Sequence, residues 1–136
     1  MVGYIVISLV SGILFGIMDG LINANTLARR LFEVYQPIAC TSLNVVAGIL
    51  IDIVYGFILA AIFLVLYQSL PGQSGILKGL SFAVLVWFFR VVMQAASTWM
   101  MYRVPGTTIG YSLIAGLIEM MILGVLFGVT LKPVSP

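Results

Sequence analysis

The chain has 136 residues, of which 62% are hydrophobic and only 7% are charged, whereas soluble domains carry roughly 25% charged residues. So few charges cannot cover the surface of a water-soluble fold, and the composition therefore predicts an integral membrane protein with the lipid bilayer as its apolar solvent. A formal net charge of +2 and the absence of any run of Lys and Arg residues argue against a nucleic-acid partner.

The sequence also excludes several kinds of catalytic and metal site. It has no histidine, which is the commonest metal ligand and general base, and it has a single cysteine, Cys40. Neither a Ser-His-Asp triad nor a Cys-His pair can be built within this chain, and a cluster of cysteine thiolates around a metal is impossible. We therefore expect no enzyme activity, no metal and no cofactor.

Four apolar stretches are each long enough to cross a bilayer, which takes about 20 residues, and breaks containing proline and glycine separate them. An even number of spans puts both termini on one side, called end A, and the loops after the first and third spans on the other side, end B. We predict an all-α integral membrane protein, a single domain over 1–136 that folds as an antiparallel bundle of four transmembrane helices. Ser42 and either Thr107 or Thr108 are the expected caps of the second and fourth helices. The predicted spans are 3–23, 44–67, 80–101 and 109–131.

The loop over 26–43 has a helical pattern of its own. Leu27, Leu31, Val34 and Tyr35 share one face, and charged residues occupy the rest. This pattern predicts an amphipathic segment at the membrane interface, or a continuation of the first helix beyond the lipid headgroups. The simpler interpretation is a surface anchor, and the alternative is a binding role, toward a lipid phosphate or a partner, for the interfacial pair Arg29 and Arg30.

Small residues recur at every fourth position in three of the four spans. Such rows allow close helix packing in lipid, where helices gain little from hiding apolar surface from one another. We expect these rows to make contacts within the bundle, or to leave one face for a second copy or another membrane subunit. The third predicted span, in contrast, contains no glycine. The predicted helix-packing glycines are Gly12, Gly16 and Gly20 in the first span, Gly48 and Gly56 in the second, and Gly116, Gly124 and Gly128 in the fourth.

Three acids and one base lie inside the predicted spans. Because a charge in the bilayer core costs about 2.5–3.5 kcal/mol on insertion scales, such residues are expected to face the interior and to be paired. Arg90 and Glu119 both fall near the middle of their spans and form the preferred pair, with Asp52 as second choice or third member. Asp19 lies about one turn from end B, and Gln94 follows Arg90 by one turn on the same face.

These buried polar residues allow two interpretations. In one, Arg90 and a carboxylate form a neutral pair that fixes the register of the helices. In the other, the excess of acids over bases leaves a carboxyl that either holds a proton or lines a water-filled path, as in a proton relay or cation site. The latter favours a homo-oligomeric channel or transporter for an ion, a proton or a small solute, in the plasma (inner) membrane. The alternative is a non-catalytic accessory subunit or assembly factor of a larger membrane complex.

Overall fold

The computed structural model describes residues 2–38 and 44–131, and within these ranges the chain is helical with no strand. Four of the helices are long and apolar enough to cross a membrane, which confirms the predicted number and type of the main elements. The predicted cap Ser42 lies outside the described residues. The helices are α1 (Val2–Ala24), α2 (Thr26–Leu31), α3 (Val45–Leu66), α4 (Gly75–Met101) and α5 (Gly106–Thr130), and a 3-10 helix (Glu33–Ile38) follows α2.

Side-chain caps fix where two of the long helices begin. Asn44 Oδ1 accepts a hydrogen bond from the Ala47 N–H at the start of α3 (3.1 Å), and Ser74 Oγ accepts one from the Leu77 N–H at the start of α4 (3.2 Å). Each cap satisfies an N–H that has no partner inside its own helix. The start of α5 differs from the prediction, because Pro105 precedes it and no side chain caps it.

Helix α4 begins at Gly75, well before the predicted start at residue 80. Lys78, which lies before the predicted third span, is part of the first turns of α4, and its side chain reaches back to the end of α3. Its Nζ donates to the carbonyl oxygens of Tyr67 (2.5 Å) and Leu70 (3.3 Å). Carbonyl groups at the carboxyl end of a helix lack intrahelical donors, so a cation stabilises them there.

Helices α1 and α3 pack antiparallel along their small residues. A Cβ atom built on Gly56 would lie 2.6 Å from both the Gly12 nitrogen and the Ser8 carbonyl oxygen, so only glycine allows this backbone contact. Nearer end A, the Tyr4 hydroxyl donates to the Phe57 carbonyl oxygen at 2.8 Å.

Helices α4 and α5 form the second antiparallel pair, and here glycine meets glycine. A Cβ atom added at Gly79 would collide with the Gly124 carbonyl oxygen, and one added at Gly75 would collide with that of Gly128. The predicted third span contains no glycine, whereas the helix that the structure shows contributes two to this contact. The physical reason is that the helix starts earlier than predicted, so Gly75 and Gly79 belong to it.

The other predicted packing glycines have different surroundings. Gly116 lies against the side chain of Val91, whose Cγ2 would be 2.8 Å from an added Cβ atom, and Gly16 lies against Asp52. Gly20 and Gly48 have no atom of another described residue within 4 Å of an added Cβ atom. Among the described residues these two glycines therefore make no packing contact, which leaves for them the second expectation, a face for another copy or another membrane subunit.

The two helix pairs are joined through α1 with α5 and through an aromatic cluster toward end A, formed by Phe63, Phe82 and Phe127. The ring of Phe63 lies 5.3 Å from that of Phe82 and 5.7 Å from that of Phe127, between centroids. Elsewhere α3 and α4 have little direct contact. A cleft between the two pairs results, and Phe82 of the aromatic cluster lines it toward end A.

The segment after α1 folds against the beginning of α5. Asn25 ends α1 and caps α2, so α2 is a separate short helix and not a continuation of α1. Ala28 is fully buried, and the Leu31 carbonyl accepts a hydrogen bond of 2.6 Å from the Thr108 hydroxyl. The side chains of Arg29 and Arg30 stay exposed.

The close approach of α4 and α5 predicts a strong response to added methyl groups. Gly79→Ala or Gly124→Ala should lower the free energy of unfolding by about 1–3 kcal/mol, because each methyl group meets backbone atoms that cannot move independently. Gly48→Ala is the matched control, and should be neutral or stabilising by up to about 1 kcal/mol. Unfolding of the purified chain in detergent micelles measures the difference, and equal effects at Gly48 and Gly124 would contradict the packing described.

Candidate functional site

The cleft between the two helix pairs has a volume of about 1390 Å³, larger than the 300–1,000 Å³ typical of small-molecule sites. Its walls come from all four long helices and from the 3-10 helix, and most of them are apolar. The polar part extends from the middle of the helices toward end B. The polar side chains that the argument uses are Asp19, Asn23, Arg90, Gln94, Thr98 and Glu119.

Glu119 lies deepest in this set. It projects from the middle of α5 and is only 3% exposed. Its Oε2 atom lies 3.9 Å from Arg90 Nη1, longer than the 2.7–2.9 Å or so of a charge-assisted hydrogen bond. Its Oε1 atom accepts no hydrogen bond from any residue that the structure describes. A buried carboxylate without a hydrogen-bond donor is strongly unfavourable, so Glu119 requires a proton or a bound donor.

Arg90 is held beside Glu119 by two aromatic rings. Its guanidinium carbon lies 4.7 Å from the ring centroid of Phe15 and 5.1 Å from that of Tyr55. The two rings stack on each other at 5.3 Å, which makes them one platform shared by α1 and α3. A guanidinium within about 6 Å of an aromatic centroid is attracted to the negative face of the ring. Glu119, Phe15 and Tyr55 together therefore form a site for a cationic group, and Arg90 occupies it.

The backbone of α4 changes from α-helix to π-helix around Arg90. Residues Phe88–Val92 form one turn of π-helix between two α-helical stretches. Just before it, Trp87 Nε1 donates to the Leu113 carbonyl oxygen of α5 at 2.9 Å. Single π-helical turns inside α-helices occur frequently at functional sites, because the extra residue changes the direction of the side chains.

The remaining acids stand apart from this pair. Asp52 does not line the cleft; its carboxylate lies at the contact of α1 with α3, where its Oδ2 would be 2.9 Å from a Cβ atom at Gly16. Asp19 lines the cleft toward end B, and the Asn23 side chain donates to its backbone carbonyl and not to its carboxylate. Neither acid forms an ion pair with a base in the described part of the chain. Of the two predicted partners, the structure brings Arg90 to Glu119.

The charges in the deep part of the site are unbalanced. Asp19, Asp52 and Glu119 lie within electrostatic range of one another, and Arg90 lies within range of the last two. In this part of the described chain the carboxyl groups therefore outnumber the guanidinium groups by three to one. The second base of the cleft, Arg103, lies beyond the end of α4 at the rim. This arrangement attracts positive charge into the cleft.

The other predicted polar residues lie along or outside the cleft. Gln94 follows Arg90 along the α4 wall toward end B, on the same face as predicted, and Thr98 lies beyond it. The exposed pair Arg29 and Arg30 does not line the cleft. Among the residues described, no three acid, cysteine or histidine side chains converge in a way that could hold a metal ion.

Sequence reasoning did not find Phe15 and Tyr55 as the partners of Arg90. Both are aromatic residues in apolar helices, and nothing in the local pattern separates them from lipid-facing aromatics. Only a test of which helices become neighbours could have found them, because the two rings come from α1 and α3 whereas the guanidinium comes from α4.

The contact of Arg90 with Glu119 predicts energetic coupling. Arg90→Met should lower the free energy of unfolding by about 3–5 kcal/mol, because it leaves Glu119 buried without its counter-charge, and Glu119→Met should lower it by less, because Arg90 is partly exposed. The double variant should lose less than the sum of the two single losses, by about 0.5–3 kcal/mol. Denaturant unfolding of the four proteins in micelles measures this difference, and additive losses would show that the two groups do not interact.

No protein-family model, no curated protein and no solved structure matches this chain, so the geometry of the cleft is the basis for its functional interpretation.

Proposed function

We propose that this chain is a small channel or transporter of the plasma (inner) membrane that moves a cation, the proton included, through the cleft past Glu119 and Arg90. The observation that carries the proposal is the Glu119 carboxyl group, which is buried at the cleft and has an oxygen without a hydrogen-bond partner among the described residues. Ionisable residues buried among membrane helices are rare and commonly mark ion pathways and proton relays.

The four long helices are proposed to cross the bilayer as an antiparallel bundle. Large apolar side chains are exposed along every one of these helices, including Ile13, Val54, Phe88 and Ile118. Glu119 and Arg90, in contrast, face the interior. A lipid environment requires this arrangement, in which apolar side chains face outward and charged side chains face the interior.

The polarity of the site supports a cation and not an anion as the transported species. In the described part of the chain, the carboxyl groups of Asp19, Asp52 and Glu119 lie within electrostatic range of one another, and the Arg90 guanidinium lies within range of Asp52 and Glu119. An arriving proton or cation would satisfy Glu119, and Arg90 would then be free to approach another acid. Such a shift of partners couples binding to a change of conformation, because the ligand stabilises one arrangement more than the other.

The shape of the cleft supports a transporter more than a permanently open channel. The buried aromatic cluster of Phe63, Phe82 and Phe127 lies toward end A, where Phe82 and Leu66 line the cleft. A transporter requires the cleft to be closed toward end A in one conformation, and these rings are the proposed barrier. A site that is reached from one side at a time is the basis of alternating access.

The acidic side chains predict specific losses of transport. Glu119→Gln should lower proton or cation flux into liposomes by about tenfold or more, since the amide can neither accept a proton nor balance a cation. Asp52→Asn should lower flux by about two- to threefold, because Asp52 acts on the site only through its charge. Glu33→Gln, which changes an acid outside the four long helices, is the matched control. Flux that is unchanged in both Glu119→Gln and Asp52→Asn would refute the proposed function.

Assembly into a homo-oligomer is part of the proposal. Gly20 and Gly48 lie toward end B on α1 and α3 and remain uncovered within the described residues of one copy, and such positions allow close contact with another helix. The same observation supports the second candidate, a non-catalytic accessory subunit or assembly factor, in which a different membrane protein covers them.

Purification in mild detergent tests the oligomer. A homo-oligomer that Gly20→Leu and Gly48→Leu together dissociate is the expected result, with Gly3→Leu as control because Gly3 is also uncovered but lies at end A. Stoichiometric co-purification of an unrelated membrane protein, lost in the same double variant, would favour the accessory subunit instead.

A further inference from the structure

We infer that the cleft binds an amphipathic organic cation, whose guanidinium or ammonium group replaces that of Arg90 beside Glu119, Phe15 and Tyr55. This inference deepens the proposed function, since it names the class of cation that the same site takes.

The site already shows what its ligand resembles. A positively charged planar group lies between a carboxylate and the faces of two stacked rings, at 3.9 Å from Glu119 Oε2 and 4.7 Å and 5.1 Å from the ring centroids. Carboxylate and aromatic faces together are the groups by which proteins bind organic cations. In this conformation Arg90 acts as a tethered substitute for such a ligand.

Arg90 does not satisfy all the polar atoms of the site, so a ligand cation can take the place of its guanidinium group. The distance to Glu119 is too long for a hydrogen bond, and Glu119 Oε1 has no donor among the described residues. The Arg90 side chain is 28% exposed, and its backbone lies in the π-helical turn. A ligand that donates directly to Glu119 therefore makes hydrogen bonds that Arg90 does not. The displaced guanidinium has Asp52 within electrostatic range.

The walls of the cleft specify the rest of the ligand. The side chains next to the polar site on α3 and α4 are apolar, and Leu59, Leu85, Val86 and Phe89 are among them. Small inorganic cations such as Ca²⁺ need several oxygen ligands, which these walls do not offer. An apolar body attached to the cationic group would instead gain by leaving water. The volume of about 1390 Å³ is ample for such a molecule.

Binding of phenylguanidinium to the purified full chain in lipid nanodiscs, measured by calorimetry, tests the inference. Phenylguanidinium should bind about tenfold or more tightly than guanidinium, because its ring is buried against apolar walls. Benzoate, which has the same ring with the opposite charge, should bind at least about tenfold more weakly than phenylguanidinium. Benzoate binding as tight as that of phenylguanidinium would overturn the inference.

Two substitutions should change this affinity in opposite directions. Arg90→Gln removes the tethered competitor and should strengthen phenylguanidinium binding by about tenfold, since the site no longer has to be vacated. Glu119→Gln should weaken it by about tenfold or more, because the amide leaves the cation without a counter-charge. Glu33→Gln should leave it unchanged. An Arg90→Gln variant that binds phenylguanidinium no better than the unmodified chain would contradict the role given to Arg90.

A further variant keeps the test informative if Glu119→Gln does not fold. Tyr55→Leu keeps an apolar side chain but removes one aromatic face, and should weaken phenylguanidinium binding by about three- to tenfold. Unchanged binding in this variant would overturn the proposed site. If liposome flux depends on Glu119 but phenylguanidinium does not bind, the inference fails and the proposed function stands. If flux is also independent of Glu119 and Asp52, both fail.

Discussion

The ion pair of Glu119 with Arg90 is the interaction on which the site depends. A carboxylate that is 3% exposed has no hydrogen-bond donor in the described chain, and its only counter-charge lies 3.9 Å away. In surroundings of low polarity such a group is stable only when a positive charge or a proton accompanies it. The aromatic platform of Phe15 and Tyr55 helps to keep the guanidinium in place, so these contacts connect all four long helices, which otherwise form two separate pairs.

The cleft that contains this ion pair exists because of where the glycines are. Gly12 and Gly56 bring α1 against α3, and Gly79 and Gly124 bring α4 against α5, at distances that no larger residue allows. Each pair is therefore tightly packed within itself. Between the pairs, bulky rings of the described residues meet toward end A, and the remaining space forms the cleft. Small residues within the pairs and large ones between them thus produce two packed units and an accessible site.

Particular residues show how far prediction from the sequence extends. The depths of Arg90 and Glu119 in their helices were sufficient to select them as partners. The depth of Asp52 in its helix was not sufficient to predict its surroundings, because its carboxylate faces α1 at Gly16 and does not line the cleft. Similarly, the spacing of Gly20 and Gly48 placed them on the same faces as the other small residues, but no neighbour in the described chain reaches them. Spacing determines the face of a residue, whereas its contacts depend on the neighbouring helix.

The sequence by itself determined that the chain is helical, that four helices are long and apolar enough to cross a membrane, and which charges lie within them, because these properties depend on composition and local order. Only the tertiary structure decided that α4 starts at Gly75 and pairs with α5, that Arg90 lies on a π-helical turn against rings of α1 and α3, and that a cleft separates the two pairs. These features arise from contacts between residues far apart in the chain, and a pattern within one helix carries no information about which helix lies beside it.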